Sequence, residues 1–284
     1  MTFIPQIPLK IPFVTQIMLI NYQNKCILNK NIKKDANMLN IIHETKDIII
    51  VNKPAGQLSQ GAKGFDLDLV SEVMNYNASQ GKPAYAAIIN RLDRPVSGLV
   101  LIAKNKPAAA KYSTLMQKEG GFNKQYEALI CGKLFEPKGV LVDYLKKYGR
   151  TNTSAVVSAD DAANDKEAKL SKLEYEVISY DEEHNISHVR IHLITGRHHQ
   201  IRVQFASRNH PLVGDYKYAG AGSSCDTTGG VNCGMDSDTK YNMKYGMDSA
   251  VKAAALKRNQ IALCAVSLTV EDETYSVAPE FSIW

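Results

Sequence analysis

The residues best placed for chemistry lie in Asn90–Lys104. Arg91, Asp93 and Arg94 stand together there, and the apolar run Gly98–Ala103 that follows is typical of a buried strand. A carboxylate beside a core strand is costly unless cations or hydrogen-bond donors compensate it, and the two arginines are the nearest compensators. We therefore expect an ionised aspartate held in one orientation, although a structural pair capping a strand is the simpler interpretation.

A second charged cluster, Leu193–Phe205, begins about a hundred residues later. Its apolar start predicts a strand, and the pattern after Gly196 predicts a helix that buries Ile201 and Phe205 on one face. Arg197–His199 would lie near the helix N-terminus, where free backbone N–H groups favour phosphate or carboxylate. Arg197, Gln200 and Arg202 would then lie on faces that do not pack against the core. Alone, such a cluster is more often a solvated helix start than a site.

Together the two clusters resemble the RluA family of pseudouridine synthases. One family box corresponds to Asn90–Gly98 and the other to Thr195–Arg202. Further matches lie at Val51–Gly56, Lys124–Gly132, Pro211–Asp215, Tyr218 and Ala262–Ala265. The resemblance covers roughly residues 41–280, which is one domain of ordinary size.

Three positions depart from the family pattern. Asn90 stands where His is usual, Val96 where Thr is usual, and Cys264 where His is frequent. None of these changes removes a carboxylate, a base or an arginine from the expected chemistry. They bear on the subfamily, and hence on the target site, more than on the activity.

The resemblance implies a catalytic triplet of Asp93, Tyr126 and Arg197. Pseudouridine forms when the N1–sugar bond of uridine breaks, the base rotates and rejoins through C5, and the C5 proton leaves. No redox step occurs, so we expect no cofactor and no metal. Asp93 would act as nucleophile or remove a sugar proton, with Arg197 as its partner. Tyr126 would pack against uracil, but a phenol with a pKa near 10 is a poor unaided base.

The same resemblance implies RNA-binding residues. A stacked base must leave its stack before an enzyme reaches it, and Arg91 would fill the vacated space, because a guanidinium plane stacks on bases. Lys53 could face an RNA phosphate, although a solvated turn lysine is the default. For His199, Gln200 and Arg202, a structural role in the pocket and direct RNA contact remain equally open.

Composition permits this function without demanding it. The chain has 284 residues, 44% of them apolar, with a net charge of +5 and a pI near 8.8, a mild excess that suits a polyanionic partner. Five cysteines without regular spacing suggest reduced thiols in a cytoplasmic protein. No apolar run approaches the roughly 20 residues of a membrane span. Without a heptad or an obvious sticky face, we expect a monomer.

We expect two regions: an N-terminal arm of unclear role over residues 1–40, without the pattern of a signal peptide, and a synthase domain over 41–284. The fold class is α+β, a mixed and largely antiparallel sheet flanked by helices. Strands are predicted at Asp47–Val51, Gly98–Ala103, Lys124–Gly132, Val140–Lys146, Leu170–Tyr180, His188–Thr195, Ile261–Val270 and Thr274–Ala278. Helices are predicted at Leu67–Tyr76 and Pro107–Lys118. Arg150–Lys169 and Ala219–Asp248 are predicted loops.

Two other functions remain open. The first is a non-catalytic RNA-binding protein that retains the synthase fold, although a binder does not need a desolvated carboxylate facing a polyanion. The second is a metal hydrolase with zinc held by Cys225, Cys233 and the histidines His198, His199 and His210. The spacing of these residues matches no common zinc module, which disfavours this alternative.

Overall fold

The strands of a computed structural model follow the apolar patterns of the sequence. The structure describes residues 39–61, 67–118, 120–219, 251, 254, 256–257 and 260–282. The predicted N-terminal arm, apart from residues 39 and 40, and nearly all of the predicted 219–248 loop lie outside the described residues. So do Cys225 and Cys233.

Eleven strands and four helices make up the described part of the chain. The strands are β1 (Ile41–Glu44), β2 (Ile48–Lys53), β3 (Ala87–Ile88), β4 (Ser97–Ala103), β5 (Phe122–Cys131), β6 (Lys138–Tyr148), β7 (Thr153–Val157), β8 (Lys169–Asp181), β9 (Ile186–Leu193), β10 (Leu263–Val270) and β11 (Glu273–Ser276). The helices are α1 (Leu69–Ser79), α2 (Lys106–Gln117), α3 (Ala159–Asn164) and α4 (Gln200–Ala206). No helix in these described stretches has the length and apolarity needed to cross a membrane.

All eleven strands join one sheet in the order β1-β2-β4-β10-β5-β9-β8-β6-β7, with β3 added to β4 and β11 added to β10. The β4–β10 pair is parallel and the other described pairs are antiparallel. The predicted α+β class with a mixed, largely antiparallel sheet is therefore confirmed. Each predicted strand is present, and its ends differ from the prediction by at most two residues.

The prediction that Arg150–Lys169 is a loop is wrong. This segment contains β7, which pairs with the end of β6 over Tyr144–Tyr148, and the short helix α3. Ser158 caps that helix, because its side chain accepts a hydrogen bond from the backbone N–H of Asp161. A serine followed by acidic residues often marks the start of a helix. Because the whole segment is polar and charged, it was predicted to be a loop and this signal was missed.

Strand β4 lies deep in the core, with all seven of its residues buried. Its second residue, Gly98, has a φ of 117°, and a Cβ there would lie 2.4 Å from the carbonyl oxygen of Ala265. Only glycine allows β10 to approach this closely and pair in parallel with the start of β4. The loop that carries Asp93 ends at this junction and is therefore anchored to the centre of the sheet.

Asn90, which stands where the family usually has His, also anchors this loop. Its side-chain amide donates to the carbonyl of Leu99 at 3.1 Å, and its Oδ1 accepts from the N–H of Leu101 at 2.8 Å. The side chain thus takes the place of a neighbouring strand along the middle of β4. An asparagine offers both the donor and the acceptor that this position uses.

We expect Asn90→Ala to lower the free energy of unfolding by about 1–3 kcal/mol, because it leaves two buried backbone groups without their partner. Urea denaturation would measure this loss. Asn75→Ala, on the exposed face of α1, is the control and should change stability by less than about 0.5 kcal/mol. Equal effects of the two changes would contradict the anchoring role of Asn90.

Candidate active site

Five segments of the chain meet around a cavity of about 140 Å³. The loop before β4 contributes Asp93, β5 contributes Lys124 and Tyr126, and the stretch from the end of β9 into α4 contributes most of the rest, with one residue each from α2 and β10. The full lining is Asn90, Arg91, Leu92, Asp93, Val96, Met116, Lys124, Tyr126, Leu193, Gly196, Arg197, His199, Gln200, Ile201, Arg202 and Leu263. The sheet order explains the meeting, because β4, β10, β5 and β9 are consecutive neighbours.

The centre of the site is a guanidinium held between two carboxylates. Arg202 donates to Asp215 through Nε at 2.6 Å and Nη2 at 2.8 Å, which is a bidentate pair. Its third donor, Nη1, lies 3.0 Å from Asp93 Oδ2. Arg202 and Asp215 are buried, whereas the Asp93 side chain keeps 28% of its exposure and faces the cavity. The bridge therefore fixes one oxygen of Asp93 and leaves the other accessible.

The expected pairing of Arg197 with Asp93 needs correction. The Nε of Arg197 donates to the carbonyl of Leu170 on β8 at 2.9 Å, and its side chain is exposed at the cavity wall. Helix α4 begins only at Gln200, so Arg197 lies in the preceding turn and points to a different side of the site. Arg202, inside the helix, is the residue that reaches Asp93.

Arg202 and Gln200 are interior residues, which favours the structural role over direct RNA contact. All seven residues of α4 are buried. The Gln200 amide accepts from the hydroxyl of Thr195 at 2.8 Å and the N–H of Arg197 at 2.9 Å, and donates to the carbonyl of Lys172 at 3.1 Å. It therefore ties the turn before the helix to the sheet, the structural role that the sequence left open.

His199 lies just before α4 in the left-handed region, with a φ of 54°. This conformation turns its ring toward Asp93, whose Oδ2 is 3.4 Å from Nε2. Its Nδ1 is 2.5 Å from the hydroxyl of Tyr218, which itself accepts from the N–H of Ser154 at 2.9 Å. If the Tyr218 hydroxyl donates to Nδ1, the proton of the neutral ring lies on Nε2, the atom nearest Asp93.

Burial lowers the pKa of His199 to about 3, helped by the positive charge of Arg202 and opposed by Asp93. The ring of His198 stacks on it with 3.8 Å between centroids. His199 is therefore neutral at physiological pH and faces Asp93 as a dipole rather than as a cation. It lines the cavity but is 9% exposed, which leaves little surface for RNA.

Lys53 does not face solvent or RNA phosphate, which corrects both expectations for it. It is fully buried, and Nζ donates to the carbonyls of Pro54 and Gln57 at 2.9 Å and of Arg94 at 3.5 Å. Burial lowers the pKa of its ammonium to about 8. Lys53 thus holds the loop that carries Asp93 from the side of the sheet.

Tyr126 and Arg91 both line the cavity that Asp93 faces. Tyr126 is buried in β5 and lines the cavity, and burial together with the charge of Asp93 raises its pKa above the ordinary value near 10. Arg91 lines the same cavity and is exposed to solvent. The site therefore combines a fixed carboxylate, a neutral phenol and an outward arginine.

Sequence reasoning gave no role to Lys124, Asp215 or Tyr218. Lys124 is two residues before Tyr126 on one strand, a spacing that places both side chains on one face of a sheet. Asp215 follows a glycine in a turn, and its place in the Pro211–Asp215 match was the only sign that singled it out. Among the described residues, no group of three or more His, Cys, Asp or Glu side chains is placed to hold a metal ion.

Comparison with known proteins places these residues in a family. Residues 47–207, more than half of the chain, match the family described as RNA pseudouridylate synthase. A ribosomal large subunit pseudouridine synthase D of Vibrio cholerae is 32% identical over 183 residues, covering 64% of this chain and 53% of that protein. An uncharacterized RNA pseudouridine synthase of Aquifex aeolicus is 31% identical over 201 residues, covering 68% and 60%. The chain thus spans about half the length of the curated relatives it matches.

The fold is also similar to a solved structure. Human RNA pseudouridylate synthase domain containing 1 superposes with a TM-score of 0.60 at 20% sequence identity. The match covers 88% of this chain and 86% of that protein. At this identity the likeness concerns the fold alone.

We expect Asp215→Asn to lower the free energy of unfolding by about 3 kcal/mol, because it removes one charge from a buried ion pair. Urea denaturation of Glu176→Gln is the control. Glu176 pairs with Lys138 at 2.9 Å on the surface, where such a pair contributes less than about 1 kcal/mol. Equal losses in the two variants would contradict the dependence on Asp215.

We expect stability to fall as the pH is lowered from 6.5 to 5. The folded state disfavours protonated His199, whereas the unfolded chain takes up that proton below a pH of about 6.5. This residue alone would cost about 1.4 kcal/mol for each pH unit. Urea denaturation at the two pH values should show a smaller change in His199→Gln. His192→Gln, on the exposed side of β9, should retain the wild-type slope; an unchanged slope in His199→Gln would oppose the assignment.

Proposed function

The chain belongs to the RNA pseudouridylate synthase family, and from that membership we propose that it isomerises specific uridines of structured RNA to pseudouridine. The observation that carries the proposal is the state of Asp93. One of its oxygens accepts from buried Arg202, and no hydrogen bond within the described part of the chain reaches the other. A carboxylate held this way at a cavity is suited to act on a bound nucleotide.

We propose that Asp93 Oδ1 is the reacting atom. Arg202 Nη1 and His199 Nε2 both approach Oδ2, so the opposite oxygen has its lone pairs free. Attack on the sugar or the base and removal of a sugar proton both begin from such an oxygen. Arg202 would hold the carboxylate in one orientation between turnovers.

The other lining residues would hold the nucleotide. Tyr126 offers a buried aromatic face for the uracil ring. Arg91 is exposed at the same cavity, where it would fill the space of an extruded base and contact RNA phosphates. Arg197, exposed at the same cavity, would bind the RNA backbone, a role different from the pairing expected at first.

We infer that residues 41–284 form the catalytic domain and that residues 1–40 form an arm with no assigned role. The sheet begins at Ile41 and its last strand ends at Ser276, which supports that boundary. A cytoplasmic monomer remains our expectation for this chain, and analytical ultracentrifugation would check the oligomeric state.

Ribosomal RNA is the first substrate pool to examine, because the relatives named above include synthases of the large ribosomal subunit. Transfer RNA is the second pool, since its stem-loops offer the same chemistry of an extruded uridine. The active pool identifies the class of substrate.

We expect Asp93→Asn to abolish turnover while RNA binding survives, because the change removes the charge and the nucleophile but almost no volume. The measurement is tritium release from C5-tritiated uridine in each RNA pool. RNA binding, followed by a filter assay at one fixed salt concentration, controls for the folded state.

Glu280→Gln provides a matched control, because Glu280 is an exposed carboxylate outside the cavity lining. It should leave tritium release unchanged. Comparable release by Asp93→Asn and wild type would refute the role of Asp93. Absence of release by folded, RNA-binding wild type would favour the non-catalytic RNA-binding alternative.

A further inference from the structure

The last step of pseudouridine formation needs a base, and the residues named so far are poorly suited to it. The rejoined base carries a proton on C5 that must leave. Burial and the charge of Asp93 keep the Tyr126 phenol protonated. His199, with a pKa of about 3, has little tendency to accept a proton, and arginines do not act as bases at physiological pH.

Lys124 lies in the right place. It is two residues from Tyr126 on β5, so both side chains emerge on one face of the sheet, and both line the cavity with Asp93. A Cβ on Gly196, in the turn after β9, would lie 3.6 Å from Lys124 Nζ, so the amine lies over the glycine backbone. The glycine thus forms part of the wall beside the amine.

The amine of Lys124 also differs from the other cations of the site. No hydrogen bond or ion pair joins its Nζ to any residue that the structure describes, whereas Arg202 has two carboxylate partners and Arg197 donates to a carbonyl. Burial lowers the pKa of Lys124 from its ordinary value, with no opposing contribution from a neighbouring carboxylate. A lysine without an acid partner in a partly dry cavity gives up its proton most readily.

We propose that Lys124 is the base that removes the C5 proton in the final step. This inference rests on the proposed function. The neutral amine takes the proton from C5 and becomes an ammonium. The electron pair of the C5–H bond forms the C5–C6 double bond, and the pair of the C6–N1 double bond moves to N1, which takes a proton from solvent. The ammonium then returns its proton to solvent. No oxidant, reductant or co-reactant takes part.

The surrounding charges allow this cycle. The titratable and charged groups that share the cavity with Lys124 are Tyr126 on β5, Arg91 and Asp93 from the loop before β4, and Arg197, His199 and Arg202 from the stretch around α4. Burial alone lowers the pKa of Lys124 in this setting. Asp93 has its charge engaged by Arg202 on the side opposite its free oxygen.

The test compares product formation from RNA containing ordinary uridine with RNA containing uridine deuterated at C5. We expect Lys124→Ala to lower the rate about 100-fold or more, as loss of a general base does, and to show a primary isotope effect larger than that of wild type. Deprotonation would then limit the rate. Added methylamine should restore activity in proportion to the free amine, since it can occupy the space left by the side chain.

Lys124→Arg separates proton removal from binding, because it keeps the positive charge and cannot act as the base. It should be as slow as Lys124→Ala, with RNA binding near wild type. Circular dichroism would verify that it folds. Lys106→Ala, at the exposed start of α2, is the matched control and should keep wild-type kinetics.

Three results would overturn the inference. One is near-wild-type turnover by Lys124→Arg, which would make the lysine a binding cation. Another is an enlarged isotope effect in Tyr126→Phe and not in the Lys124 variants, which would make the phenol the base. Absence of turnover by wild type on every RNA pool would refute the proposed function, and this inference would fall with it.

Discussion

The site depends on one buried guanidinium that makes two hydrogen bonds to one carboxylate and a single hydrogen bond to another. Arg202 carries one positive charge between Asp215 and Asp93, and its bidentate contacts go to the more deeply buried Asp215. The cluster of three therefore retains a net negative charge, because His199 beside it is neutral. That excess negative charge lies on Asp93, which faces the cavity. There it would stabilise a positive charge that develops on the sugar or on a protonated group of the substrate.

Under the proposed function, Asp93 would have to react while close to the negative phosphates of RNA. RNA phosphates would repel Asp93, but Arg91, Lys124 and Arg197 surround the cavity and offset that repulsion. The cations divide into two groups by burial. Arg202 is interior and fixes the carboxylate, whereas Arg91 and Arg197 are exposed and remain available to a partner. A large total charge is unnecessary for this, because three cations line the cavity itself.

The apolar pattern of the sequence predicted the sheet well because its central strands are buried along nearly their whole length. β2 and β4 are almost wholly buried, so their β-branched and aliphatic runs leave little ambiguity. The same reasoning failed on α4, where amphipathic spacing suggested one buried face. Both Gln200 and Arg202 are interior, because the turn containing Asp215 covers the side of the helix that would otherwise face solvent. Periodicity cannot anticipate a second covering layer, nor which of two nearby arginines points toward an aspartate.

The orientation of Asp93 is set from two directions by two buried cations. Arg202 holds the side chain, while Lys53 holds the backbone through the carbonyl of Arg94, the next residue. The Nε of Arg94 in turn donates to the carbonyl of Gly56 at 2.8 Å, which links the same two loops at the surface. A loop fixed at its side chain, its backbone and its neighbouring residue has little freedom left to lose when a nucleotide binds. Burying the ammonium of Lys53 among carbonyls carries a desolvation cost. In return, the carboxylate of Asp93 is already in position before a nucleotide binds.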